Sequence, residues 1–243
     1  MRKLILLLPL FIFMHFSNAA ADAPVECVVL LHGLARTEKS MHTLERYLAD
    51  QGFSVINLGY PSRKETIQKL SEEVIPAAIE RCQTSGANKI HFVTHSMGAI
   101  LVRYYLASHD VPHLGRVVML SPPNSGSEVV DTFKDLSLFK TIYGPAAQQL
   151  GTGADSLPRA LGPPDYEVGI ITGDRTINPI FSLLISGEDD GTVSVESARL
   201  QGMQDFLLVH DTHPFIMYDE QVLAQVTAFI RSGKFNRATG PSQ

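Results

Sequence analysis

The sequence predicts an α/β protein on a mostly parallel central sheet. Three observations carry this. Short apolar runs alternate with amphipathic stretches along most of the 243 residues. The runs are continuously apolar, as strands covered on both faces are. The gaps between them are long enough for the helical crossover that a parallel connection requires. With 44% hydrophobic and 19% charged residues, the composition is that of an ordinary globular domain. The length suits one large α/β domain.

The elements follow in order. Val25 to Leu31 is a first buried strand, rich in Val and Leu. Ser40 to Asp50 carries Met41, Leu44, Tyr47 and Leu48 at helical spacing, and Gly52 is its stop signal. Phe53 to Leu58 is the second strand. Thr66 to Cys82 places Ile67, Leu70, Val74, Ile75, Ala78 and Ile79 on one helix face, with a kink expected at Pro76. Ile90 to Val93 is the third strand, Met97 to Ser108 a helix, and Arg116 to Leu120 the fourth strand. The pattern then breaks. Ser121 to Asp165 is rich in Pro, Gly and Ser and holds one amphipathic piece, Val129 to Leu150. So long an excursion inside a compact domain reads as a cap or lid, here about residues 125–165. Strands at Val168 to Thr172 and Phe206 to Val209 and a helix at Glu220 to Ile230 close the domain, with a loose tail expected after Lys234.

The N-terminus has its own logic. Arg2 and Lys3 precede an apolar core, Leu4 to Met14. Ser17-Asn18-Ala19 and Ala19-Ala20-Ala21 place small residues where a signal peptidase cuts. The core is shorter than the ~20 residues of a membrane span. Residues 1–21 are therefore expected to be a signal peptide, and 22–243 an exported domain, periplasmic or secreted, with no stable membrane span. A net charge of −5 and no long basic run exclude nucleic acid as a natural partner.

The chemistry gathers where the third strand ends. In Ile90-His91-Phe92-Val93-Thr94-His95-Ser96-Met97-Gly98, a serine sits on a tight turn between strand and helix. Such a turn exposes a hydroxyl above the sheet, and the helix N-terminus behind it favours a developing anion. Here the chain resembles the α/β-hydrolase family, and within it the small bacterial lipases and esterases. The family's G-x-S-x-G elbow has Thr94 in place of its first glycine. The resemblance spans nearly the whole mature chain. It implies an α/β-hydrolase fold with helices on both faces of the sheet and a cap or lid insertion.

The resemblance also assigns roles. Leu30-Leu31-His32-Gly33-Leu34 matches the early His-Gly loop, which makes the backbone N–H of Leu34 one oxyanion donor and that of Met97 the other. His32 itself reads equally well as a structural turn residue. Glu188-Asp189-Asp190-Gly191-Thr192-Val193 resembles the family's acid loop, and His210-Asp211-Thr212-His213-Pro214 follows the last strand. A serine hydroxyl needs an adjacent imidazole base, and that imidazole needs a carboxylate. The expected triad is Ser96, Asp190 and His213, with Asp189 the alternative acid and His210 the alternative base. His42, His91, His109 and His113 are expected to be structural, and His95 to flank the site. His210 and His213 could share a metal in principle. No H-E-x-x-H or clustered Cys/His spacing is present, so neither metal nor cofactor is expected.

Apolar residues at Phe133, Leu136, Leu138, Phe139, Ile142 and Tyr143, at Ile177 to Ile185, and at Phe215, Ile216 and Met217 suit the rim of an acyl site. The resemblance therefore implies hydrolysis of an ester or lipid-like small molecule through an acyl-enzyme. A thioesterase or acyltransferase with the same triad, or a silent binding domain on this scaffold, stay as alternatives. The two cysteines, Cys27 and Cys82, suggest a disulfide in an exported chain. In the family's sheet the helix ending at Cys82 crosses over the first strand, which would bring it to Cys27.

Overall fold

A computed structural model describes residues 25–237, so the expected signal segment lies outside the described residues. The chain runs through β1 (Glu26–Leu31), a 3-10 turn at Glu38–Met41, α1 (His42–Asp50), β2 (Ser54–Leu58), α2 (Ile67–Thr84) and β3 (Lys89–His95). It continues through α3 (Met97–Leu106), β4 (Leu114–Leu120), α4 (Glu128–Phe133), α5 (Ser137–Gln148), α6 (Leu157–Ala160) and β5 (Val168–Arg175). Then come α7 (Pro179–Ser182), α8 (Val195–Ala198), β6 (Asp205–Thr212) and α9 (Glu220–Ser232). The strands form one sheet in the order β2-β1-β3-β4-β5-β6, and every pairing is parallel.

Both faces are covered, as continuously apolar strands demand. Alternate residues of β1 face opposite layers. Cys27, Val29 and Leu31 join the core built with α2 and α3, while Val28 and Leu30 join the core built with α1 and α9. From β1, one strand in from the edge, the chain moves out to β2, then crosses over β1 to reach β3. The order of strands therefore reverses between β1 and β3. Their C-terminal ends make the crevice where α/β sheets bind ligands. At the opposite end of the sheet Cys27 and Cys82 are joined in a disulfide, with Cα atoms 5.7 Å apart.

Several boundaries differ from expectation. Helix α2 continues unbroken through Pro76, because the carbonyl left without a partner belongs to solvent-exposed Glu72. Helix α3 ends at Leu106, so His109 lies beyond it, its ring stacked 4.2 Å from that of Tyr105. The amphipathic piece over 129–150 is α4 and α5, and α5 breaks at Gly144, whose φ of 72° no helix contains. The tail after Lys234 is held as far as Arg237. Gly233 turns the chain in the left-handed region, and Phe235 packs buried against Phe229. Asp205 accepts the Phe235 N–H at 2.8 Å and pairs with Arg237.

Candidate active site

Ser96 stands between β3 and α3 at φ 52° and ψ −123°, a conformation that costs a non-glycine residue roughly 1–3 kcal/mol. Its surroundings enforce it. The Ser96 N–H donates to the Leu120 carbonyl at 2.9 Å, and its own carbonyl accepts from the Ala99 N–H at 3.0 Å. Gly98 brings α3 hard against the end of β1, where a Cβ would sit 2.6 Å from the Leu31 carbonyl oxygen. Thr94 is tolerated because the strain falls at Ser96. Thr94 is an ordinary buried residue of β3, paired with Leu31 and Met119.

His213 follows β6 directly and reaches across two strands to the serine. Its Nε2 lies 3.0 Å from Ser96 Oγ. Its Nδ1 lies 2.8 Å from Asp190 Oδ2. Asp190 is fully buried, and its Oδ1 accepts the N–H groups of Thr192 at 3.0 Å and Val193 at 2.9 Å. With those bonds fixing the carboxylate, the Nδ1–H of His213 donates to Oδ2. That leaves the Nε2 lone pair facing the serine hydroxyl. The backbone repeats the link, since the His213 N–H donates to the Asp190 carbonyl at 2.9 Å.

The alternatives are spatially separate. Asp189 accepts from Ser182 Oγ at 2.5 Å and from the Gly191 N–H at 2.7 Å, so it fastens α7 to the acid loop. His210 lies inside β6, on its solvent side, bonded to Asp174 at 2.9 Å. Among the described residues no three or more His, Cys, Asp or Glu side chains gather as a metal site would need.

His95 contributes something the sequence did not signal. Its ring is buried behind the serine, and its Nε2 is 2.9 Å from the His213 carbonyl oxygen. Burial first, and then the neighbouring His213, hold its pKa well below the ordinary histidine value. The neutral ring donates its Nε2–H to that carbonyl. His32 is likewise buried, and burial lowers its pKa. It stacks on Tyr60 at 3.9 Å, donates through Nδ1 to the Gly33 carbonyl at 2.9 Å, and its own carbonyl accepts from the Tyr60 hydroxyl. His32 is thus a turn residue that fixes the loop carrying Leu34.

That loop, Ser96, His213 and the excursion after β4 enclose a cavity of about 630 Å³. Its walls include Val130, Phe133, Phe139, Tyr143 and Phe181. Phe215 is half-exposed and does not line this cavity, although its neighbour Pro214 does, whereas Ile216 and Met217 are fully buried against α1 and α9. Those two are core residues, drawn inward by the 3-10 turn at Ile216–Tyr218. The excursion is bolted at both ends by Arg103 of α3, another residue the sequence did not single out. Its buried guanidinium donates to the Asn124 carbonyl at 3.0 Å and to the Gly162 carbonyl at 2.9 Å, and burial lowers its pKa to about 10.

The mature lipase BlEst2 of Bacillus licheniformis superposes with a TM-score of 0.68 at 18% identity, covering 87% of this chain and 94% of that one. The Pyrococcus furiosus esterase Pf2001 gives 0.59 at 16% identity, covering 86% and 83%. The phospholipase PlaB of Legionella pneumophila gives 0.59 at 19% identity, covering 72% of this chain and 46% of that longer one. At such identities these likenesses speak for the fold. No curated protein matches the sequence. The palmitoyl protein thioesterase family model matches residues 27–154, more than half of the chain, from the second residue of β1 to beyond α5. The chain therefore belongs to the palmitoyl protein thioesterase family, α/β hydrolases of ester-type substrates.

Proposed function

We propose that this protein is an exported serine hydrolase that cleaves acyl esters or thioesters with Ser96 as nucleophile, His213 as base and Asp190 as acid. The observation that carries the reading is the pair of contacts on one imidazole. Nε2 is 3.0 Å from Ser96 Oγ and Nδ1 is 2.8 Å from the buried Asp190 carboxylate, at the wall of a largely apolar cavity. The family match favours thioesters within that class. The disulfide supports export.

In this mechanism Ser96 Oγ attacks the acyl carbonyl as its proton passes to His213 Nε2. The imidazolium is stabilised by Asp190. The oxyanion is held by the N–H groups of Leu34 and Met97, each worth roughly 3–4 kcal/mol. The Met97 N–H is the first of α3 and has no acceptor within its helix. The Met97 side chain is buried in the core, so it acts through its backbone alone. His213 returns the proton to the leaving alcohol or thiol, and the acyl group stays on Ser96. Water, deprotonated by the same imidazole, then releases the acid and restores the serine. Residues 125–165 act as the cap that shields the acyl chain.

The test is a fluorophosphonate probe together with nitrophenyl esters and acyl thioesters of graded chain length. Wild type should be labelled at Ser96 and should prefer chains long enough to fill the cavity. Ser96→Ala should fold, escape labelling and lose activity by about a million-fold, as removal of a triad serine does. Activity retained in that variant would refute the assignment.

A further inference from the structure

We propose that Arg36 binds an anionic group of phosphate type on the leaving-group side of the substrate. The inference deepens the proposed function and rests on its assignment of Ser96 and Leu34. Arg36 is the one cationic residue lining the cavity that holds Ser96 and His213. The one anionic residue lining it, Asp190, has both carboxylate oxygens engaged by His213, Thr192 and Val193. Arg36 is a partly buried residue, and its guanidinium makes no hydrogen bond or ion pair among the described residues. An unpartnered guanidinium at a cavity wall is free to take an anion, and its planar fork matches phosphate oxygens in a bidentate way.

Its placement is fixed. The Arg36 N–H closes a tight turn on the Gly33 carbonyl at 3.3 Å, and the Ala35 N–H is held by Ser62 Oγ at 3.1 Å. Ala35 takes the left-handed conformation that this turn requires, with φ 56°. Gly33 lies against the nucleophile, since a Cβ there would sit 3.1 Å from Ser96 Cβ. The turn therefore sets Arg36 in the cavity wall on the side of Ser96, where its charge acts on the buried His95 ring, and not among the aromatic residues of the acyl side. The acyl side is walled by Phe133, Phe139, Tyr143 and Phe181, where an anion would be desolvated with no partner. The leaving group is the part of the substrate left to carry it, as in a glycerophosphate ester or a phosphate-bearing thiol.

The test separates binding from turnover. On the Ser96→Ala protein, decyl phosphate and decanol are titrated by calorimetry below their aggregation limits. Decyl phosphate should bind at least about tenfold more tightly, the range of one charge-assisted bidentate contact. Adding Arg36→Gln should collapse that ratio towards one, and Arg36→Lys should restore part of it. A ratio near one in the parent, or one unmoved by Arg36→Gln in a protein that still melts cooperatively, overturns the proposal. With Ser96 present, the decanoyl ester of glycerol phosphate is compared with decanoyl glycerol and with the glycerol monoester of decanedioic acid. Preference for the first supports the leaving-group side, and preference for the last overturns it. If no ester is turned over while the binding ratio holds, the hydrolase reading fails and the anion site stands.

Discussion

At the scale of single residues the candidate site is a set of bonds that separates neighbours of like chemistry. Asp189 and Asp190 are adjacent, buried and of identical chemistry, yet one faces Ser182 and the other His213. Asp190→Asn should cut kcat by about ten-thousand-fold, the cost of a wrong imidazole tautomer. Asp189→Asn should keep most of the turnover and loosen α7. Kinetics of the two variants side by side check this, and a larger loss at Asp189 would reverse the assignment. The proposed Ser96, Asp190 and His213 were legible as candidates because each follows a strand, β3, β5 and β6, in the chain order the resemblance implies. His95 was legible only as a residue flanking the site, and Arg36 and Arg103 not at all. Their meaning lies in contacts with residues 118, 59 and 21 positions away or with a cavity, and no local spacing encodes those distances.

At the scale of elements the strands and the long helices followed from periodicity. The excursion after β4 did not, because its helices are short and its shape comes from anchors elsewhere. Gly144 breaks α5 where the chain meets the Arg63 carbonyl, a contact that admits no Cβ. Arg103 holds the excursion near its start at Asn124 and near its end at Gly162. Between these anchors Leu136, Leu138 and Ile142 are exposed. Hydrogen exchange should therefore be slow in β3, fast across residues 134–142 and intermediate at the anchored ends. Arg103→Leu should abolish that difference within the cap by freeing both ends. It should cost about 1–3 kcal/mol in stability for carbonyls left without donors. Protection over 134–142 equal to that of β3 would mean a fixed cap.

At the scale of the whole molecule, acid should unfold this protein sooner than its carboxylates alone would require. His91 is fully buried in β3, and burial above all lowers its pKa to about 4. Its Nδ1 already accepts the Arg116 N–H at 2.9 Å, a bond that protonation would destroy. In the unfolded chain the same ring titrates near its ordinary value. As pH falls from about 6.5 to 4 the unfolded state gains a proton that the native state refuses, so stability drops, by about 3 kcal/mol from this residue. His32 and His95, also lowered by burial, act in the same direction. Urea denaturation across that range should show a shallower pH slope in His91→Gln, and an unchanged slope would remove His91 as the cause. The disulfide at the other end of the sheet imposes a different constraint, one of timing. Cys27 and Cys82 are wholly enclosed between β1 and α2, so no oxidant or thiol reaches either sulfur once the core has closed. Oxidation has to precede the final docking of α2, which makes the compartment of folding part of the protein's assembly sequence. Afterwards the bond is beyond reach until the domain opens. In the native protein, its reduction should proceed at a rate that stops rising with reductant concentration and equals the rate of global unfolding. A rate that stays proportional to reductant would show a path to the sulfurs through the folded state.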